Sequence, residues 1–447
     1  MRSILPALTL PLLLAACGGG GSTPGGSTPP PTPPPTTSIC PQTTRLAAQT
    51  TAVPEAAAWT PGAADWSQPH VPGRILVSSV PGGPKLSTLT AQAQEILPGV
   101  AIISAPVGQE STVAATLRAQ GVTTQPDFLY QPLAIPNDPG VPGGGHTGVS
   151  IGGARYFQTY LTRIKAPEAW EFLQQCGKTP QGALTAILDS KVEATHGDLA
   201  GRISQQVSVL DQGAVSDTRS GHGTASAGLV GATTNNNLGV AGVTWSGPLL
   251  AVEVLGTGGG STSALAQGLR ASVDRGAQVI NMSLGLAGDP GDKILFQALT
   301  DVAKTAVLVA SAGNTAIDGV YFPASHPDVI AVGAVGSNDT QLACYSARPN
   351  ATRPRPLDLA APGGTGSCPD ATNAGQLLTL APGNQYTLSA GTSFSAPLVA
   401  GTAALMRAAN PGLTATEIRT RLIASSRAIN ADIRLLDVDS AVRSVLK

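Results

Sequence analysis

Charge and aromatic rings are both scarce in this chain. Only 12% of its 447 residues are charged and 4% are aromatic, and the formal net charge is −1. So balanced a charge implies no polyanionic or polycationic partner, and a nucleic-acid binder is disfavoured. A coiled coil is disfavoured on composition too. No apolar run reaches the roughly 18 residues of a membrane-spanning helix, and no solenoid-type repeat is present. Small and turn-forming residues are plentiful instead, with 53 Gly and 37 Pro. They suit a compact, loop-rich α/β core, and the length allows two or three domains.

The first residues bear on compartment. "MRSILPALTLPLLLAAC" has one Arg, a short apolar stretch and small residues before Cys17, the layout of an export signal at 1–16. "LAAC" at 14–17 resembles a lipobox, the site where bacteria cleave before a cysteine and attach lipid to it, so Cys17 is the expected lipidation site. The following Gly/Ser then Pro-rich text reads as a tether, and 17–70 is taken as lipidated cysteine plus linker. Cys40, Cys176, Cys344 and Cys368 remain. Four cysteines in an exported chain suggest two disulfides with three possible connectivities. Cys344 and Cys368 flank a loop-like stretch and are the natural local pair, which leaves Cys40 with Cys176.

From about residue 71 the text becomes patterned. "GRILVSSV" and "GVAIISAPV" read as strands, and "ESTVAATLRAQG" as a helix with an acidic first turn and Gly121 as its stop. With "VTTQPDFLY" they make a small α+β unit at 71–134. A Pro/Gly-rich boundary follows. Beyond it, "ALTAILD", "LLAVEVLG", "AQVINMSLG", "AVLVASAGN" and "VIAVGAVG" are short, nearly continuous apolar runs separated by helical text. Such runs suit parallel strands buried on both faces. The expected fold of 135–447 is therefore α/β, with a mainly parallel, doubly covered sheet. Sites in such sheets lie beyond the carboxyl ends of the strands, where Asp189, Ser283 and Asn314 fall.

Three places offer an acid, a base and a nucleophile. Asp189 ends a strand, His222 opens a small-residue helix in "SGHGTASAGLVGA", and Ser393 opens an apolar helix in "SAGTSFSAPLVAGTAALM". A serine hydroxyl needs a base to take its proton, and the base needs an acid to hold its tautomer. A nucleophile at a helix N-terminus gains from free N–H groups and the helix dipole. Gly221, Gly223 and Gly391 let the backbone come close to a substrate. Asn314 in "VASAGN" supplies an amide donor of the kind that stabilises an oxyanion. Singly, such residues are usually structural: a Ser at a helix start is most often a cap, an Asn after a strand a turn residue. Their joint occurrence in glycine-rich settings is what points to catalysis.

"GHGTASAG", "INMSLG", "ASAGN" and "GTSFSAPLVAG" resemble the signature segments of the subtilisin-like serine proteases, over about 136–447. The chain order Asp…His…Ser is the order of subtilisin itself. The resemblance implies Ser393 as nucleophile, His222 as general base, Asp189 as its orienting acid and Asn314 as oxyanion donor. It implies that Ser283, Leu284 and Gly285 pair with substrate backbone as an added strand, with Gly258 and Gly259 of "GTGGGS" on the opposite wall. It makes 71–134 a propeptide, a chaperone and inhibitor cut off near Ala134–Ile135. No cofactor is expected for catalysis. A structural calcium is expected at "ATTNNNLGVAG", with Asp198 and Asn236 as side-chain ligands. The expected partners are protein or peptide substrates, the chain's own propeptide and, through the lipid, a membrane of the cell envelope. Shedding after processing would release the protease unless Cys40 stays bonded to it. No acidic residue is clearly placed to floor a pocket for basic side chains, so apolar residues are the expected preference.

The family pattern after the aspartate is Ser or Thr, then Gly; here Lys191 replaces the glycine. A lysine there could pair with Asp189 and leave a catalytically impaired, peptide-binding surface protein. The expectation here is that its ammonium reaches water and Asp189 works, because side chains alternate along an extended segment and a screened ion pair is weak. "HGDL" stands for the usual "HPDL", and Phe394 for the usual Met. "GVSIG" at 148–152 matches a nucleophile elbow of lipases and esterases, but no apolar strand precedes it, as an elbow requires.

Overall fold

The computed structural model describes Cys40 and residues 64–66, 70–78, 93–128 and 135–446, apart from 212, 219, 289, 431 and 432. The export signal, Cys17, most of the linker and Ala134 of the expected cut lie outside the described residues.

The small unit has β1 (His70–Ser78), β2 (Gln94–Leu97), β3 (Val100–Ser104), α1 (Glu110–Ala119) and β4 (Thr123–Phe128). Its antiparallel strands run β2-β3-β1-β4. Ile75 and Val77 on β1 and Ala101 and Ile103 on β3 alternate onto one face and meet Ala114 and Leu117 of α1. A period of two on the strands thus faces an i, i+3 pair on the helix. Glu110 accepts the Gly73 N–H at 2.7 Å, which ties the acidic first turn to β1 and holds its carboxyl below the usual range. Gly121 ends the helix region with φ +80°. Strand β2 has no apolar face, since all its residues are exposed, so no alternation marks it in the sequence.

The larger part begins with the hairpin β5 (Val149–Ile151) and β6 (Ala154–Tyr156), then α2 (Thr159–Arg163) and α3 (Ala166–Gln175). Next come β7 (Thr185–Asp189), β8 (Ile203–Ser208), α4 (His222–Gly231), β9 (Leu249–Glu253), α5 (Thr262–Asp274) and β10 (Val279–Met282). They are followed by α6 (Lys293–Val302), β11 (Val307–Ser311), β12 (Val329–Val335) and β13 (Leu359–Pro362). The chain then runs through the hairpin β14 (Leu377–Ala381) and β15 (Gln385–Ser389), α7 (Thr392–Ala409) and α8 (Ala415–Ser425). The short strands β16 (Arg427–Ala428) and β17 (Arg434–Leu435) and the helix α9 (Val438–Val445) complete it.

Among the described residues the main sheet runs β16-β17-β13-β12-β11-β10-β7-β9-β8, parallel throughout except at the β16–β17 edge. Every residue of β7, β10, β11, β12 and β13 is buried. Alternate residues go to opposite faces: Ile187, Val279 and Val309 pack with α3, α4, α7 and α9, whereas Leu188, Ile280 and Leu308 pack with α5 and α6. Covering both faces is why these strands read as continuous apolar runs. Each fully buried Leu, Ile or Val contributes about 1.5–3 kcal/mol of transfer free energy. Later strands are added on opposite sides of β7, at β9 and at β10, so the C-terminal end of β7 is a topological switch point. Asp189 is the residue at that end.

The fold expected for 135–447 is the fold observed. Both disulfides are those expected, Cys40 with Cys176 and Cys344 with Cys368. Ser150 of "GVSIG" sits in the β5–β6 hairpin and not between a strand and a helix, so it forms no nucleophile elbow.

Candidate active site

Three elements converge beyond the sheet's carboxyl edge. β7 carries Asp189 into the interior with no exposed surface. Gly221 takes a left-handed turn, φ +65°, and α4 starts at His222 immediately after it. The next position, Gly223, lies so close to the Ser190 carbonyl that a Cβ would stand 2.2 Å from it. That close approach sets the imidazole against the aspartate, with His222 Nδ1 2.7 Å from Asp189 Oδ1. The same oxygen accepts the Ser190 N–H at 2.7 Å, and Asp189 Oδ2 accepts the Ser226 hydroxyl at 3.0 Å. The carboxylate raises the His222 pKa above its ordinary value, by attraction that outweighs the effect of burial.

Ser393 is the second residue of α7, whose first-turn N–H groups have no intrahelical acceptor. Pro397 lies four residues further and has no N–H to donate to the Ser393 carbonyl. The hydroxyl of Ser283 takes that place, donating to the carbonyl at 2.7 Å, and is itself held by the Asn281 amide at 2.9 Å. The proline in "SFSAP" thus lets the end of β10 dock on the backbone of the serine. Phe394 packs its ring 5.4 Å from the His222 ring.

Asn314 follows β11 and lines the same cleft. Its Oδ1 accepts both the N–H and the hydroxyl of Thr392 at 2.9 Å, which leaves Nδ2 as the group free to donate. Gly391 has φ +144°, and a Cβ there would come within 3.3 Å of Nδ2. The glycine before the serine helix therefore clears space for the amide as well as shaping the turn. Thr392 went unnoticed in the sequence, although it is the hydroxyl residue adjacent to Ser393.

The cleft has a volume of about 890 Å³ and is lined by His222, Asn314 and Ser393. Ser283, Leu284 and Gly285 lie on its lining, and so do Gly258 and Gly259. Leu255, Leu265 and Leu295 also face it. Asp292 is a lining residue that the sequence did not mark as acidic wall. Its oxygens are engaged in capping α6 through the Leu295 N–H at 2.9 Å and in accepting the Thr262 hydroxyl at 2.5 Å.

Lys191 is exposed and has a negative φ, so its place makes no demand for glycine. None of the ion pairs or side-chain hydrogen bonds among the described residues joins it to Asp189, whose oxygens are taken by Ser190, His222 and Ser226.

Asp198 and Asn236 also meet, away from the cleft, but not as two ligands facing one point. The Asn236 amide donates through Nδ2 to Asp198 Oδ1 at 3.2 Å, and its Oδ1 accepts the Leu238 N–H. Asp198 Oδ2 accepts the Val240 N–H at 3.0 Å. A residue the sequence did not mark joins them: Asp138, fully buried, accepts the N–H groups of Asn235 and Asn236 at 2.7 and 3.5 Å. Burial pushes the Asp138 pKa up to about 6, with the Asp198 charge adding to the rise, and burial raises Asp198 too. Two buried carboxylates repelling one another fit a hard cation. No cluster of three or more His, Cys, Asp or Glu forms among the described residues. The remaining ligands would have to be carbonyl oxygens, including that of Asn236 after its amide turns over.

A buried aspartate bonded to a half-buried histidine, in a cleft that also holds a helix-borne serine and an oriented amide, is the site of a hydrolase of the serine-nucleophile class. Residues 181–439 match the Subtilase family, and the chain belongs to it; it is a serine endopeptidase. It is 34% identical over 262 residues to Thermitase from Thermoactinomyces vulgaris, covering 58% of this chain and 85% of that protein. It is 34% identical over 266 residues to Subtilisin Savinase from Lederbergia lenta, covering 59% and 88%. A solved protease structure from Pseudoalteromonas arctica PAMC 21717 superposes with a TM-score of 0.57 at 28% identity, covering 69% of this chain and 99% of that one.

Proposed function

We propose that this protein is an exported, lipid-tethered endopeptidase that works through an acyl-enzyme on Ser393 and is activated by cleavage of its propeptide, residues 71–134. The observation that carries the reading is the 2.7 Å contact between His222 Nδ1 and the buried Asp189, on the wall of the cleft that also holds Ser393. With Nδ1 held by the carboxylate, Nε2 is the nitrogen left to take the Ser393 proton. Oγ then bonds the substrate carbonyl carbon. The oxyanion is met by Asn314 Nδ2 and the Ser393 N–H. His222 returns the proton to the leaving amine, and water repeats the sequence to free the acid. Ser283–Gly285 and Gly258–Gly259 would hold the substrate backbone, and the three leucines favour apolar side chains.

The test is the signal-less chain, wild type beside Ser393→Ala, followed by intact mass. Wild type alone should be cut near 134–135. The cut product should run as one band without reductant and two with it, because Cys40–Cys176 spans the cut. Uncut wild type would sink the activation reading.

A peptide-binding role through a disabled triad has only Lys191 in its favour. Its exposed position argues for a working Asp189. Lys191→Gly should change kcat/KM by less than about fivefold, since a screened surface charge is worth under roughly 1 kcal/mol. A gain of a hundredfold would restore the disabled reading.

Asp138, Asp198 and the Asn236 carbonyl are the proposed holders of a structural calcium, which would neutralise the two carboxylates. At a hundredfold excess over Kd such an ion stabilises by about 2.7 kcal/mol. Chelation should therefore lower Tm by several degrees, and Asp198→Asn should abolish that difference. Equal Tm values for wild type with calcium and with chelator would rule the site out.

A further inference from the structure

One turn of α4 carries two side chains to the same carboxylate. His222 and Ser226 are four residues apart, so they share a helix face. Asp189 meets them one oxygen each, His222 at Oδ1 and Ser226 at Oδ2. Buried hydroxyls in helices usually bond the carbonyl four residues back. Ser272 and Thr402 do so here, to Gly268 and Leu398 at 2.7 and 2.8 Å. Ser226 is fully buried as well, yet its hydroxyl is aimed at Asp189.

We propose that Ser226 is a positioning residue for peptide hydrolysis: its hydroxyl holds Oδ2 of Asp189, fixing the carboxylate plane and keeping Oδ1 directed at His222. The inference rests on the reading of Asp189 as the partner of the catalytic base. Among the described residues, Oδ1 has two donors, Ser190 N–H and His222, whereas Oδ2 has the Ser226 hydroxyl alone. A carboxylate with no exposed surface that loses its one donor at an oxygen becomes a stronger base and is free to turn.

The charged groups around the pair leave that oxygen to Ser226. Lys191, in the loop after β7, is exposed. Glu193 in the same loop accepts the Gly383 N–H. Glu253, at the end of the neighbouring strand β9, accepts the Ser216 hydroxyl. Asp217, before α4, acts on His222 by charge. From α7 the neighbour of His222 is the neutral ring of Phe394.

The experiment is the pH profile of kcat and kcat/KM of processed enzyme for wild type, Ser226→Ala, Ser226→Thr and Ser226→Cys. Ser226→Ala should lower kcat about tenfold with KM within about twofold, and move the acid limb of kcat/KM upward by about one pH unit. The upward sign follows because a more basic Asp189 holds the His222 proton more tightly. Ser226→Thr, which keeps the hydroxyl, should bring the limb back, and Ser226→Cys, a weak donor, should lie between. On an Asp189→Asn background, Ser226→Ala should add less than about twofold, since the two act as one unit. A Ser226→Ala enzyme with the wild-type limb and kcat but a lower Tm would overturn the proposal and leave Ser226 a packing residue. If the Ala variant does not fold, an unmoved limb in the Cys variant overturns it equally. An Asp189→Asn enzyme as fast as wild type would instead strike the proposed triad.

Discussion

His222→Ala should lower kcat by about a million-fold, the magnitude known for subtilisin itself. That factor corresponds to about 8 kcal/mol of transition-state stabilisation. It is so large because the serine proton then has no imidazole to receive it. His222 is the imidazole on the cleft wall, and its Nδ1 is committed to Asp189 at 2.7 Å. Active-site titration followed by single-turnover hydrolysis of a peptide ester checks it. The double variant His222→Ala, Ser393→Ala should be no slower than either alone, because one step needs both groups. The pH profile carries the same assignment. His222 must be neutral to accept a proton, and Asp189 raises its pKa. The rate should therefore fall as pH drops through a value above the ordinary imidazole range near 6.5. An acid limb well below that range would contradict the Asp189–His222 pairing.

Asn314→Leu should cost about 10²–10³ in kcat with KM little changed, again a magnitude established in subtilisin. The reasoning is geometric. Both described contacts to Asn314 Oδ1 come from Thr392, so the amide cannot turn over without losing two hydrogen bonds. Nδ2 is then presented to the cleft before any substrate arrives. A donor fixed in this way gains most when charge develops on the carbonyl oxygen, which is why kcat and not KM should respond. Leu keeps the bulk and removes the donor. A KM rise with kcat preserved would make Asn314 a ground-state binder.

Much of this site was legible as text because each part depends on local backbone chemistry. Gly221 before His222 and Gly391 before Ser393 are needed for turns that other residues strain to make, so those segments are short, glycine-marked and recognisable. Asp189 was legible because a strand buried on both faces is an unbroken apolar run that must end somewhere, and its polar end stands out. The same logic failed for β2, whose residues are all exposed. It failed for Asp138, which lies far in sequence from Asp198 and has no motif around it. Lys191 looked damaging in the text. Only the backbone direction after β7 shows that the residue has a negative φ and faces solvent.

By itself the sequence determined the parallel α/β class, and it named the candidate residues of the site and the order in which they follow one another. Those follow from side-chain periodicity and from turns that only certain residues can make. The tertiary structure alone decided which atoms meet: that Ser226 holds the far oxygen of Asp189, that Thr392 orients Asn314, that Pro397 opens the Ser393 carbonyl to Ser283, and that Asp138 joins Asp198. These pairings depend on the packing of α4 and α7 against the sheet, or on loops distant in the chain. Hydrogen bonds between remote residues leave no spacing in a sequence from which to read them.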